Sequence, residues 1–194
     1  EPAAFLCAML NSLPMGFYWA SQLIQDARRH AVEIKPVDVT VSDWDCTLEE
    51  QMDKILQSAQ PNVRLGLNRV KGIGLKAAMR IVEARKMASF ESAIDMANRA
   101  SINASEIRAL AGADALRTLA GHRREALWAA ASHIKQSDLM RDASVREILP
   151  AIAAAPEGEE ISADYASMEL TLRRHPLALL RPKLARMNLR SAME

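Results

Sequence analysis

The run Leu67 to Val82, LNRVKGIGLKAAMRIV, holds the residue types best suited to binding chemistry. Gly72 and Gly74 flank Ile73, and a turn of this kind at the start of a helix leaves backbone amides bare enough to approach a phosphate oxygen. Lys71, Lys76 and Arg80 surround the turn with positive charge, the last two spaced i,i+4 and so on one helix face. From Pro61 to Phe90 seven Lys or Arg stand against one Glu, a net +6 that a phosphate senses within a Debye length of about 8 Å. A solvated helix face would give the same charge count, so the glycine spacing carries the chemical reading.

The spacing fits the helix-hairpin-helix pattern, with Leu67, Val70, Gly72, Ile73, Gly74, Ala78, Ile81 and Val82 filling its eight slots. Ile73 is expected to plug the groove between the two helices, and Ala78 to let them approach. The site residues are then Lys71, Gly72, Ile73, Gly74, Lys76 and Arg80, and the ligand is DNA. No base-reading element accompanies them, so duplex binding is expected to ignore sequence and to weaken with salt, with a slope of about −0.9 per phosphate neutralised. A weaker second copy runs through Ile107, Leu110, Ala111-Gly112-Ala113 and Leu116. It reads either as a structural partner of the first hairpin or as a second phosphate contact.

Other combinations of reactive residues are sparse. His30, His122, His133 and His175 lack a second ligand at metal spacing, and Asp43, Asp45 and Glu49 read as a solvated turn around Trp44. Cys7 and Cys46 form neither a disulfide framework nor a metal motif, which points to a reducing compartment. Trp19, Trp44 and Trp128 are too dispersed in sequence for a base-stacking platform, and the methionines in predicted helices read as core filler. No catalytic residue, metal ligand or bound cofactor is therefore assigned.

The elements that must position the hairpin follow from composition and periodicity. The chain of 194 residues is 49% hydrophobic, 25% charged and only 4% aromatic, which predicts a mainly α fold. Helices are expected over Pro2 to Leu13, Trp19 to His30, Leu75 to Arg85, Glu91 to Ala100, Ala104 to Ala111 and His122 to His133. Val32 to Val41 reads as extended, Trp44 to Leu48 pairs with Val63 to Leu67 as a small β hairpin, and Glu49 to Asn62 is a partly helical loop. Ser137 to Glu160 reads as an acidic linker, and Ser162 as N-cap of a short helix to Leu170. His175-Pro176 opens a basic final stretch. Charge alternates in blocks: −5 over Pro36 to Gln60, −5 over Lys135 to Leu170 and +5 over Thr171 to Glu194. The apolar start, Phe5 to Leu13, is too short to cross a bilayer, so no membrane partner is expected. Glu1 in place of Met reads as a segment of something longer.

The strings EPAAFLCAMLNSLPMGFY (Glu1 to Tyr18), QDARRHAVEIKPVDVTVSDWDCTLE (Gln25 to Glu49) and RLGLNRVKGIG (Arg64 to Gly74) resemble the bacterial C-family DNA polymerases. AGADALRTL, HRREALW and LTLRRHPLALLRPKL extend the likeness, and NSLPMGFY and VSDWDCTLE are closer to its error-prone, damage-inducible branch. The resemblance implies a helical distal fingers segment over residues 1–62, a tandem helix-hairpin-helix module over 63–134, and over 135–194 an acidic connection with a basic lead-in to a barrel domain. It implies a parent DNA-directed DNA polymerase active in DNA repair and translesion synthesis, with a magnesium-binding palm outside this chain, so that the chain alone is inactive. Arg28 and Arg29, at the end of the fingers helix, become candidate contacts to the incoming deoxynucleoside triphosphate or to template. The same pair reads from the sequence as solvent-exposed helix-end residues. Primer-template duplex and other mutagenesis or replication proteins become the implied partners, and a cytoplasmic, nucleoid-associated location follows. The family usually carries Gly where this chain has Ala31 and Glu169. A non-enzymatic repair or recombination module built on the same hairpin, or a protein-interaction scaffold, remains an alternative from the residues alone.

Overall fold

Alanine, leucine and arginine at helical spacing give nine α-helices and one small sheet among the described residues, which in this computed structural model are 1–50, 60–132 and 152–189. Helix α1 (Pro2–Asn11) has proline in its first turn, where the missing N–H costs nothing, and buries Ala3, Leu6 and Leu10. Helix α2 (Ala20–Arg29) turns Ile24 and Ala27 inward and ends on two arginines, which suit the negative end of the helix dipole. Three short strands follow: β1 (Ile34–Lys35), β2 (Thr47–Glu49) and β3 (Asn62–Arg64). The expected β2 and β3 hairpin is present as an antiparallel pair with Leu48 opposite Val63, while β1 adds itself in parallel on the other side of β3. Of the extended segment expected over Val32 to Val41 only two residues are strand. The chain then turns at Thr40, with Val37 and Val39 buried.

The helical module consists of a 3-10 turn at Leu67–Arg69 and then α3 (Leu75–Met87), α4 (Ala93–Arg99), α5 (Ala104–Gly112), α6 (Arg117–Ala120) and α7 (Arg123–Ser132). Ser92 caps α4 by accepting from the Asp95 amide, and Asn103 and Glu106 close a reciprocal capping box on α5. Helix α8 runs from Glu157 to Met168 and α9 from Pro176 to Arg186. Ser162 is therefore inside α8 and donates back to the Gly158 carbonyl. The helix starts earlier because Pro156 sets its entry and Glu157, Glu159 and Glu160 favour its positive end. The last four residues of the expected linker are thus helical, and most of the rest of it, like most of the Glu49 to Asn62 loop and His133, falls outside the described residues.

One apolar core runs from Ala3 through Val63, Ile81 and Leu110 to Leu170. The boundary expected between residues 62 and 63 falls inside β3, whose partners β1 and β2 precede it in the chain. One side chain pairs with the backbone at the α1 edge: Asn11 donates to the Cys46 carbonyl at 2.9 Å and accepts from its amide at 2.8 Å. The thiols of Cys7 and Cys46 are both pushed up, chiefly by burial, so neither is an activated nucleophile.

The acidic and basic blocks meet inside the protein. Arg123, 4% exposed, pairs with Asp164 and lies 3.2 Å from Glu160. Arg173 reaches Glu160 at 2.9 Å, Asp114 at 3.3 Å and Asp164 at 3.4 Å, and Thr171 donates to Asp164 at 2.6 Å. This cluster ties α7, α8 and the strand of chain after α8 together, and it places Leu170 in the core with no exposed surface.

Ala31 and Glu169 adopt the left-handed backbone, with φ of 59° and 61°, the conformation that glycine takes without steric cost. Ala31→Gly should raise stability by about 1 kcal/mol in a urea melt, since the added freedom of the unfolded chain offsets only part of the relieved strain. Arg123→Ala should lower it by about 3–5 kcal/mol, because buried Asp164 loses its closest cation and buried Glu160 one of its two. An unchanged melt in the second variant would mean that the cluster is idle.

Candidate nucleic-acid interface

All six apolar or small slots of the hairpin pattern are buried: Leu67, Val70, Ile73, Ala78, Ile81 and Val82. The hairpin's leading helix, however, is a single 3-10 turn. Its amides are already taken, since Leu67 donates to the Asp43 carbonyl at 2.8 Å and Asn68 to the Trp44 carbonyl at 3.0 Å. Gly66 makes this possible, because a Cβ there would lie 2.4 Å from the backbone of Trp44 and Asp45. The acidic stretch is thereby drawn into structure: Asp43 pairs with Arg85, Asp45 accepts from Asn68 and Glu49 pairs with Arg64. The stretch is a turn around Trp44, as expected, with Asp43 and Asp45 exposed and each tied to a neighbouring side chain.

The two hairpin glycines do different work. Gly72 has φ of 89° and a Cβ would meet that of Ala109 on α5 at 3.3 Å, so the turn and the packing both need glycine. Gly74 is the N-cap of α3 with an ordinary φ of −97°, and a Cβ there would meet nothing within 4 Å. Among the described residues nothing requires glycine at this position. Among the described residues the amides of Gly72, Gly74, Leu75 and Lys76 have no backbone acceptor, whereas Lys71 donates its amide to the Ser167 carbonyl at 2.9 Å and Ile73 donates to Val70 at 3.2 Å. The turn therefore offers one open face of main-chain donors, with α8 closing the other.

The cations of the basic island separate in space. Arg64 and Arg85 are clamped by Glu49 and Asp43, and Lys86 pairs with Glu83. Arg80 reaches away from the turn to the Ala100 carbonyl at 2.9 Å and to Glu106 at 3.2 Å, which makes it a strut between α3 and the start of α5. Lys71 pairs with Glu169 at 3.0 Å, but both side chains are half exposed, so the pair is worth about 0–1 kcal/mol and yields easily to a phosphate. Lys76 is exposed with no ion pair among the described residues. Arg108, beside the Ala109 that touches Gly72, is also exposed and unpaired among them. Sequence reading overlooked it because the charge of its segment averages to zero.

Arg28 and Arg29 sit at the C-terminus of α2. Arg28 donates to the Leu172 carbonyl at 2.6 Å, and burial pulls its pKa below the usual guanidinium value. Arg29 is exposed. Among the described residues no hydrogen bond or ion pair joins either arginine to the hairpin. In the second hairpin Gly112 ends α5 and the left-handed position belongs to Asp114, at φ of 58°. That carboxylate pairs with Arg117 and Arg173, which supports the structural-partner reading and puts an acid where a phosphate contact would need a donor.

The helix-hairpin-helix motif family matches residues 31–126. A relative named error-prone DNA polymerase from Aromatoleum aromaticum is 53% identical over 194 residues, covering 100% of this chain and 18% of the relative. Relatives of the same name from Bordetella parapertussis and Azoarcus sp. are 51% and 52% identical over 99% and 96% of this chain, again 18% of each relative. The chain is homologous to one segment of the error-prone DNA polymerases. It spans about a fifth of their length. Among the described residues no helix is long and apolar enough to cross a membrane, and no three His, Cys, Asp or Glu side chains gather as a metal site.

Gly72→Ala should cost about 1–2 kcal/mol in a thermal or urea melt, from left-handed strain and crowding against Ala109. Gly74→Ser should melt within about 1 kcal/mol of the parent, since serine is a favoured N-cap. Equal losses in the two variants would contradict the division of labour between the glycines.

Proposed function

We propose that the chain is the distal fingers and duplex-holding segment of an error-prone DNA polymerase that serves DNA repair and translesion synthesis, and that it grips primer-template duplex without regard to sequence. The observation that carries this reading is the open face at the hairpin: the amides of Gly72, Gly74, Leu75 and Lys76 with no backbone acceptor among the described residues, a glycine at position 74 whose Cβ would meet nothing within 4 Å, and the Lys76 ammonium, which has no ion pair among those residues. A strand phosphate lodged there receives charge-assisted hydrogen bonds from the main chain and sits at the positive end of the α3 dipole. Lys71 exchanges Glu169 for the phosphate, and Lys76 and Arg108 flank it.

Residues 1–62 would be the fingers portion, 63–134 the duplex-binding portion and 135–194 the connection onward. In the parent enzyme a deoxynucleoside triphosphate is the substrate, and Arg29 is the better placed of the arginine pair to meet its phosphates, since Arg28 is engaged by Leu172. Magnesium would be held by palm carboxylates. The residues described here do not fit that ion, because the acidic corner of Asp43, Asp45 and Glu49 is occupied by Arg85, Asn68 and Arg64. No step of nucleotidyl transfer is therefore assigned to this chain. Its contribution is to hold the duplex and to orient the end of it.

Fluorescence anisotropy with labelled blunt duplex checks the reading. Binding should be indifferent to sequence and should weaken steeply with salt. Lys76→Glu should weaken it and flatten the dependence of log affinity on log salt by about one unit, whereas Gly74→Ser should weaken it with the melt unchanged. Binding that ignores salt, or that survives both substitutions intact, would overturn the proposal.

A further inference from the structure

Beside the hairpin lies an open cleft of about 410 Å³ whose lining includes the turn between α1 and α2, the 3-10 turn before the hairpin and the end of α8. Its aromatic wall is Tyr18 and Trp19, which are 58% and 64% exposed. The same cleft is lined by Asn68, Arg69 and Lys71, and its one acid, Glu169, is the residue already paired with Lys71. The two aromatics are adjacent in the chain, and Trp19 is held at the start of α2, where its amide donates to Gln22 Oε1 at 3.1 Å. Their rings are thus carried by an ordered helix start while remaining open to solvent.

Exposed aromatics and cations that line one cleft can together take a nucleic acid base on a ring and its phosphate on the charge. Lys71 belongs to both features: it lines the cleft and immediately precedes Gly72 of the hairpin turn. A strand with one phosphate on the hairpin amides therefore continues directly toward the cleft. The walls suit a base that is free of its partner, because a paired and stacked base presents no face to a side chain. The positive side excludes an acidic ligand that lacks a ring no better than it excludes DNA, but the aromatic wall distinguishes the two.

We propose that this cleft takes an unpaired DNA nucleotide from the strand that the hairpin holds, stacking its base on Trp19 and Tyr18 and meeting its phosphate with Lys71 and Arg69. The inference rests on the hairpin reading given above. It assigns the cleft to the junction between duplex and single strand, and so makes the chain sensitive to where a duplex ends.

The test compares, on the 194-residue chain, labelled blunt duplex with the same duplex bearing a short single-stranded overhang, either normal or abasic. The overhang should tighten binding about tenfold, the size of one base–aromatic stack, and the abasic overhang should not. Trp19→Ala and Tyr18→Ala should each remove most of that gain while leaving blunt-duplex affinity and the melt unchanged, and Trp19→Phe should keep much of it. An overhang that adds nothing, or a gain that persists in the abasic strand or in both alanine variants, overturns the cleft assignment and leaves the hairpin reading standing. Absence of blunt-duplex binding with a Trp19-dependent affinity for single strands overturns the hairpin reading and keeps the cleft. Binding to neither probe overturns both.

Discussion

The ionic cluster of Arg123, Arg173, Asp114, Glu160 and Asp164 is the constraint on which the arrangement of the site depends. Arg123, Glu160 and Asp164 are buried, and buried charges are tolerated only when paired, since desolvation costs several kcal/mol per ion. The cluster therefore admits essentially one placement of α8 and of the chain that follows it. That placement puts the Ser167 carbonyl on the Lys71 amide, Glu169 beside the Lys71 ammonium, Leu170 in the core and the Leu172 carbonyl on Arg28. One cluster thus sets three contacts that reach the hairpin and α2.

The consequence for binding is a division between cations that build and cations that remain available. Arg64, Arg80 and Arg85 use planar guanidinium groups to bridge carbonyls and carboxylates from distant segments, a task for which a multi-donor fork is suited. Lysine, a single flexible point charge, is left at positions 71 and 76 on the hairpin rim. Main-chain amides and lysine ammonium groups carry no means of reading a base edge.

Much of this was legible locally. The eight-slot hairpin pattern predicted which residues are buried, because its apolar spacing repeats the geometry of a helix packed on a turn. The helices over Leu75 to Arg85 and Ala104 to Ala111 were legible for the same reason, and the β2 and β3 pairing from alternation. The unusual residues Ala31 and Glu169, set where glycine is usual, marked two left-handed turns that the fold does form. What misled was charge counting. Charge blocks read as an acidic linker over Ser137 to Glu160 and a basic lead-in after Thr171 did not reveal that Arg123 and Arg173 pair with Glu160 and Asp164, or Arg174 with Glu157. The aromatic cleft escaped notice because Tyr18 and Lys71 are far apart in the chain.

By itself, then, the amino-acid order determined the helical character, the glycine turn, the apolar face beneath it and the kinship with polymerase segments, since each depends on residues within a few turns of one another. Tertiary structure alone decided which cations face outward, which glycine is required by the fold, and which aromatics meet the hairpin. Those outcomes depend on partners as remote as Arg28 and Leu172, 144 residues apart. Ion pairing and exposure are properties of distance in space, and no local spacing encodes them.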